Sequence, residues 1–528
     1  MKKLITVIVL GVIVGAFAPV VGHAEEEEPR GMASKRSAFP VGGLKPGATS
    51  TQECTAEIES GAANVKLDCD ESFPNNEPDV EVDPADPLHM IASSNDYGTC
   101  CDEFYTTFDG GQTWTTGNMS NAGPHTIGSD PVTVFDVKHG TAIHPSLSFR
   151  GNGNQACDGD LVVSVSEDGG LTWNAPVQVA DGRGCDPSKT QLFNDKEWVV
   201  TDNNASSPHY GRTYLTWSVF EAHKAVYASS GIFESHSDDG GFSWSAPQEI
   251  SGSNAALCTF QESGPAGECD ENQYSVGTIG ADGTVYVAFE NDQNESLWED
   301  GEQFDDQYLL VKSTDGGVSW SSPTFIVGLE DGSRDYPLNV DDRQTLSGYQ
   351  VRVNSAGNIV ADPTSNGRLY LTFSDNRNGT HDSDTPITNT DVFLMTSVNG
   401  GANWSGPVQV DSSASDQWFP WVEVNPVDGT VGLVYNDRSV ADPEVYGAAL
   451  REIGGSKLTV STADSHPTES IFFQAGTEGC EECATFHGDY IALAYGSDGA
   501  ANVAWTDMRD FDEGLGGYLQ FIYFARVT

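Results

Sequence analysis

Basic residues are scarce in this chain. Lys and Arg number 25 against 78 Asp and Glu, a formal net charge of −53 over 528 residues. Such a surface repels nucleic acid and anionic membranes, which excludes both as partners. No apolar run long enough to cross a bilayer follows residue 24. Methionine is rare, with 6 residues, and long helix-forming runs are few, while there are 57 glycines and 10% aromatics. That balance leaves little room for helices and predicts short strands joined by tight turns.

The first 24 residues read as an export signal. Lys2 and Lys3 precede an apolar stretch from Leu4 to Val21, and Gly22-His23-Ala24 supplies the small residues of a cleavage site. The alternative is a membrane anchor, for which the stretch is short. Residues 25–60 form a polar acidic leader, and 61–528 the folded domain of a secreted protein expected to be a monomer.

An octet recurs along the domain: "TFDGGQTW" at 107, "SEDGGLTW" at 166, "SDDGGFSW" at 237, "STDGGVSW" at 313 and "SVNGGANW" at 397. Its tryptophans are 59, 71, 76 and 84 residues apart. Between the octets lie alternating segments such as "GTVYVAFEND" (283–292) and "GRLYLTFSDNR" (367–377). Alternation at period two, bounded by Gly, Asn and Asp, is strand chemistry. Each unit reads as four strands, with the octet turning the chain between the third and fourth. First strands begin near Asp79, Pro131, Glu197, Gln273, Gln350, Pro420 and Asp489. The fold class is therefore all-β, a β-propeller of four-stranded antiparallel blades. Seven blades are preferred, with six the alternative. The last unit lacks a fourth strand, and "NVKLDC" (64–69) is placed to supply it and close the ring.

Gly-Gly gives the octet the positive φ of a tight turn, its Asp accepts the turn's amides, and its Trp packs on the sheet. The pattern S-x-D-x-G-x-T-W resembles the Asp-box, or BNR repeat, of the sialidase-like propeller superfamily. The resemblance implies that the octets build the fold and that chemistry sits on the opposite face. It also implies a glycoside hydrolase of exo-sialidase type acting on extracellular glycans. A non-catalytic glycan- or protein-binding propeller and a polysaccharide lyase are the alternatives. One family feature is missing: the Arg-Ile/Leu-Pro motif of the first strand is replaced by "EPDVEVDP" (77–84).

On that opposite face three second strands end in Asp–Arg pairs: Asp375 with Arg377, Asp437 with Arg438, and Asp507 with Arg509. Guanidiniums clamp a carboxylate and carboxylates supply acid–base groups, so the arginines are substrate-binding candidates and the aspartates catalytic ones. The other reading is that each pair tethers its own loop. Connections between units add Asp195, Glu197, Trp198, Asp416, Trp418 and Asp489 as sugar-binding candidates, since an aromatic beside carboxylates suits a sugar ring. His487 is a candidate base and Tyr490, or Tyr97, a candidate nucleophile. No cofactor and no catalytic metal are expected, though "DNRNGTHDSD" (375–384) offers carboxylates for a structural Ca²⁺.

Ten cysteines in an exported chain predict five disulfides. The repeat brings Cys157 near Cys185, Cys258 near Cys269, and Cys100 and Cys101 near Cys480 and Cys483.

Overall fold

A computed structural model describes residues 53–55, 64–68, 73–99, 102–152, 155–186, 188–224, 226–261, 265–297, 306–332, 334–338, 344–348, 351–381, 386–439, 445–469 and 486–528. The alternating segments pleat into strands, and these pair as antiparallel sheets. The first sheet runs Asn75–Val82, Met90–Asp96, Asp102–Thr107 and Thr113–Asn118, with Glu53–Thr55 added at its outer edge. A nine-stranded sheet follows. Its first half holds Ile127–Ser129 and Val134–Asp136 beside Thr141–Asn152, Gln155–Ser166 and Val177–Ala180. Its second half is Thr190–Thr201, Thr213–His223, Val226–Ser237 and Gln248–Glu249, joined to the first by a parallel bridge between Gly159 and Phe193.

Three four-stranded sheets come next. They are Asn272–Ile279, Val285–Asn291, Gln307–Ser313, Thr324–Gly328; then Ile359–Ala361, Leu369–Asp375, Asp391–Ser397, Ser405–Gln409; then Gln417–Val424, Val431–Asp437, Gly447–Glu452, Lys457–Thr459. The last sheet is Ala492–Tyr495, Ala501–Asp512 and Gly517–Val527, with Asn64–Lys66 as its outer strand. Asn64 pairs with Ala525, Val65 with Phe524 and Lys66 with Tyr523.

First strands touch one another in succession. Thr190–Thr201 lies against Asn272–Ile279, which meets Ile359–Ala361, then Gln417–Val424, then Ala492–Tyr495, and this last strand lies against Asn75–Val82. Apolar side chains fill the seams. Between the first and last sheets, Val65, Val80, Met90, Trp114, Ala494 and Phe524 form one cluster. Among the outer strands, Ser405–Gln409 is exposed along its length. No helix among the described residues is long and apolar enough to cross a membrane.

The octets are turns with a fixed set of bonds. In the second, Asp168 accepts from the Thr172 amide at 2.9 Å and the Thr172 hydroxyl at 2.6 Å, while Ser166 Oγ accepts the Gly170 amide at 2.8 Å. The second glycine of each octet presses on the preceding sheet. A Cβ on Gly401 would stand 2.1 Å from Leu310 Cδ2, and one on Gly111 would stand 2.2 Å from the Phe524 ring of the last sheet. Both glycines also carry positive φ, 78° and 83°. The octet is thus a clasp between sheets. Asp168→Ala removes only a solvent-washed set of turn bonds, so we expect a loss of about 1 kcal/mol in chemical denaturation and no change in any ligand binding.

Cys157 bonds Cys185, and Cys258 bonds Cys269. Cys100, Cys101, Cys480 and Cys483 lie outside the described residues, as does the signal segment.

Candidate functional site

Four first strands share a defect. Their pairing register slips between Asn76 and Asp79, between Asp195 and Trp198, between Gln273 and Val276, and between Trp418 and Trp421. Each slip is a β-bulge, which leaves residues unpaired and re-aims their side chains. At each one a non-glycine residue takes the left-handed backbone region: Glu77 (φ 57°), Lys196 (φ 51°), Tyr274 (φ 53°) and Phe419 (φ 51°). Asp130 (φ 57°) holds the same place between Ile127–Ser129 and Val134–Asp136, and Gly488 (φ 89°) precedes the last sheet. The sequence puts strand starts at these points. Three of the strands in fact begin three or more residues earlier, at Asn75, Thr190 and Gln417, a fourth begins one residue earlier at Asn272, and all four run through the bulge. Proline follows at Pro78, Pro131 and Pro420, because a residue without an N–H fits an unpaired position.

The bulges lie at the opposite strand ends from the octets. In the first sheet Val82 pairs with Met90 and Met90 with Thr107, where the octet begins, while Asn75 pairs with Asp96. The backbone device repeats, yet the residues it presents differ from sheet to sheet: two acids, a lysine, a tyrosine and a phenylalanine.

Their side chains meet. Lys196 Nζ sits 3.7 Å from the centre of the Tyr490 ring and 5.6 Å from that of Trp198. Arg352 donates to both oxygens of Asp489, at 2.9 and 2.8 Å. Asn354 donates to Asp489 at 3.0 Å and to the Tyr274 hydroxyl at 3.1 Å. Gln273 donates to Asp195 at 3.2 Å. Asn95 joins Glu77 to Asp130, donating to the Glu77 carboxyl at 2.7 Å and accepting the Asp130 amide at 2.7 Å. The carboxyls are crowded. Burial first, and the Asp130 and Asp489 charges next, push Glu77 well above the usual range, and Asp195 is raised by the same causes. Burial and then Asp130 raise Glu197. Several buried polar atoms here have no protein partner: Lys196 Nζ, both Glu197 carboxyl oxygens, Asp195 Oδ1 and the Tyr490 hydroxyl. Buried polar groups are nearly always paired, so this concentration marks a place built to meet something else.

Beside this centre opens a cleft lined by Tyr274, Arg352 and Asn354 together with the acids Glu290, Asp306 and Asp331. Burial pushes Asp306 up to about 7. Glu290 is raised well above its ordinary value by burial and then by Asp306, and Asp331 by burial and then by Asp306 and Glu290. A smaller hollow joins Lys196, Asp489 and Tyr490 to the aromatic faces of Tyr274, Phe419 and Trp421.

The sequence-derived candidates divide into three groups. Asp195, Glu197, Trp198, Asp489 and Tyr490 gather at the centre, where Trp198 also packs on Trp421 with ring centres 4.7 Å apart. Burial raises the Tyr490 and Tyr97 hydroxyls well above the usual phenol range, so both keep their protons. His487 and Trp418 are packed behind, 2% and 0% exposed, with the Trp418 indole N–H donating to His487 Nε2 at 3.1 Å. Burial, with Arg352 second, pushes His487 down to about 3, which makes it a neutral, feeble base.

The third group is spent on ion pairs within and between sheets. Arg377 binds Asp375 through Nε (2.8 Å) and a terminal nitrogen (2.6 Å), and reaches the Gly328 carbonyl of the preceding sheet at 3.0 Å. Arg438 binds Asp416 at 2.9 Å, Lys457 binds Asp437 at 2.7 Å, and Arg509 binds Asp507 at 2.7 Å. Faces are taken as well as edges. Arg377 stacks 4.7 Å from the Phe393 ring centre, and Arg509 lies 4.2 Å from that of Tyr523. Asp375–Arg377 and Asp507–Arg509 thus form as pairs, whereas the expected Asp437–Arg438 pair does not: Arg438 turns to Asp416 and Asp437 takes Lys457.

Glu77, Asp130, Lys196, Tyr274, Arg352, Asn354, Glu290, Asp306 and Asp331 are absent from the candidates read off the sequence. Glu77, Asp130 and Phe419 carry one usable signal, a residue before Pro at the start of a first strand.

No family model and no curated protein matches the chain. Solved structures do. One is a protein of unknown function from Dyadobacter fermentans, at 14% identity and TM-score 0.44 over 76% of this chain and 95% of that one. A Penicillium chrysogenum α-L-arabinanase complexed with arabinobiose is similar at 13% identity and TM-score 0.44, over 77% of this chain and 99% of the other. A sialidase from Streptococcus pneumoniae is similar at 9% identity and TM-score 0.42, with 83% of each chain covered.

Proposed function

We propose that this chain is a secreted seven-bladed propeller that hydrolyses extracellular glycans built of neutral or amino-bearing sugars. The nine-stranded sheet supplies two blades, and Asn64–Lys66 closes the ring by completing the last. The observation that carries the reading is the split among carboxyls in two adjoining spaces. Glu290, Asp306 and Asp331 line the cleft and are pushed toward the protonated form, while Asp489, which lines the neighbouring hollow, is ion-paired to Arg352 of the cleft. Glycoside hydrolysis needs such a division, one carboxylic acid to protonate the leaving oxygen and one carboxylate to act as base or nucleophile. Asp306, near 7, is the proton donor in this reading. Tyr274, Phe419, Trp421 and Tyr490 offer stacking faces to a sugar ring.

Charge decides against a sialoside. Glu77, Asp79, Asp130, Asp195, Glu197 and Asp489 face only Lys196 and Arg352 as cations at the centre. The Arg-Ile/Leu-Pro motif of the resembled family is absent from the corresponding stretch, and the residue two before Pro78 is the uncharged Asn76. Among the described residues the guanidinium at the centre, Arg352, is already held by both oxygens of Asp489, which leaves an anionic sugar without the clamp it needs. The test is a panel of neutral, amino-bearing, uronate and sialylated oligosaccharides assayed for release of reducing ends. Cleavage confined to the neutral or amino-bearing members is expected. Cleavage of sialosides alone would reject the charge argument, and no cleavage, with binding retained, would favour the non-catalytic alternative.

A further inference from the structure

The loop after the second strand of the fifth unit approaches the segment that enters that unit. His381 Nδ1 hydrogen-bonds Asp335 Oδ1 and lies 3.9 Å from Glu330 Oε2. The three ligand atoms fall within 4.8 Å of one another. We propose that Glu330, Asp335 and His381 form a binding site for a first-row divalent ion, Zn²⁺ or Mn²⁺.

The donor set is one imidazole nitrogen and two carboxylates. Zn²⁺ accepts that set with tetrahedral ligand distances of about 2.0–2.2 Å, hence ligand-to-ligand edges of roughly 3.3 Å. Ca²⁺ wants six to eight oxygens and has little use for an imidazole. The expected Ca²⁺ loop therefore gives way here to a nitrogen-bearing site that borrows only His381 from it.

The carboxylates are held in place. The Gly332 amide donates to Asp335 Oδ2 at 2.7 Å, leaving Oδ1 for the ion. Asn376 donates to the Asp335 carbonyl, and the Glu330 amide donates to Asp375 at 3.0 Å. Thr380 and Ile387 bridge the base of the His381 loop through paired backbone bonds of 2.8 and 3.1 Å. The nearest cation, Arg377, is committed to Asp375 by two bonds and leaves the ion position to Glu330 and Asp335. Ion binding takes the place of the His381–Asp335 hydrogen bond, and joins two segments 46 residues apart in the chain. Asp331, which lines the cleft, lies between the two carboxylate ligands in sequence. The ion therefore braces the cleft wall.

The untagged chain is stripped with a chelator and titrated calorimetrically with Zn²⁺, Mn²⁺ and Ca²⁺ at physiological ionic strength, which screens the diffuse acidic surface. One equivalent of Zn²⁺ or Mn²⁺ is expected, more tightly held than Ca²⁺. His381→Ala and Glu330→Gln should each weaken it by at least about tenfold. Glu330→Gln keeps the Asp335–His381 bond, so it decides the matter if His381→Ala does not fold. Equal Zn²⁺ and Mn²⁺ binding by the parent and the folded variants overturns the site, as does a preference for Ca²⁺.

Discussion

Asp306→Asn is expected to lower glycan hydrolysis by roughly 10²–10⁴-fold, the usual worth of a general acid, while making the protein melt higher at pH 8. The two effects have one cause. Burial pushes the Asp306 carboxyl up to about 7, so the folded protein keeps a proton that the unfolded chain has lost. At pH 8 folding must bury the ionised group against Asp331 and Glu290, and asparagine removes that cost. The stabilisation approaches about 4 kcal/mol at pH 8 and vanishes below about pH 3, where both states of the parent are protonated. Thermal melts at the two pH values, with hydrolysis assayed in parallel, read both effects. Asp168→Ala, far across the blade, is the control that should alter neither activity nor the pH trend. Retained activity in Asp306→Asn would remove Asp306 from the proton-donor role.

Acidification is expected to stabilise the parent. Glu423 is pushed up to about 8, Asp306 to about 7 and Asp391 to about 6, in each case mainly by burial. Glu77, Asp195, Glu197, Glu290 and Asp331 are raised as well. Between the unfolded values near 4 and these folded ones, the native state binds more protons, so stability falls as pH rises through that window. The octet aspartates act the other way. Asp315 is held down to about 2 by the Ser319 and Ser313 bonds, and its contribution disappears only as pH falls through that value. The maximum should therefore lie near pH 4, with a gain on the order of 10 kcal/mol over pH 8. Melting curves from pH 4 to 9 at fixed ionic strength read it. A flat profile, or one that rises toward pH 8, would contradict the buried-acid account. Glu423→Gln should flatten its upper end.

Local features were legible in the sequence, and convergent ones were not. The octets announce themselves because Ser166, Asp168, Gly170 and Thr172 bond one another within seven residues. Strand limits of the first half of the nine-stranded sheet follow the alternation closely, as in Thr141–Asn152 and Gln155–Ser166. The centre depends on residues such as Arg352 and Asp489, 137 apart in the chain, which meet only after several sheets have stacked. Asp375, Asp437 and Asp507 drew attention because they repeat. Repetition turned out to mark bonds that every unit needs, and diversity at the bulges marked the place where units differ. The signal lay in aligned first strands whose backbones agree and whose side chains do not.

Asn64–Lys66 and Gly517–Val527 share a sheet although more than 450 residues separate Val65 from Phe524. An early strand and a late one are thus one another's partners. A nascent chain carries an unmatched strand through the whole of synthesis, and every shortened product leaves two sheet edges free to join a neighbouring molecule. Completion is decided by the final strand. A stop codon a dozen residues early would yield a sticky fragment rather than a slightly smaller version of the same fold.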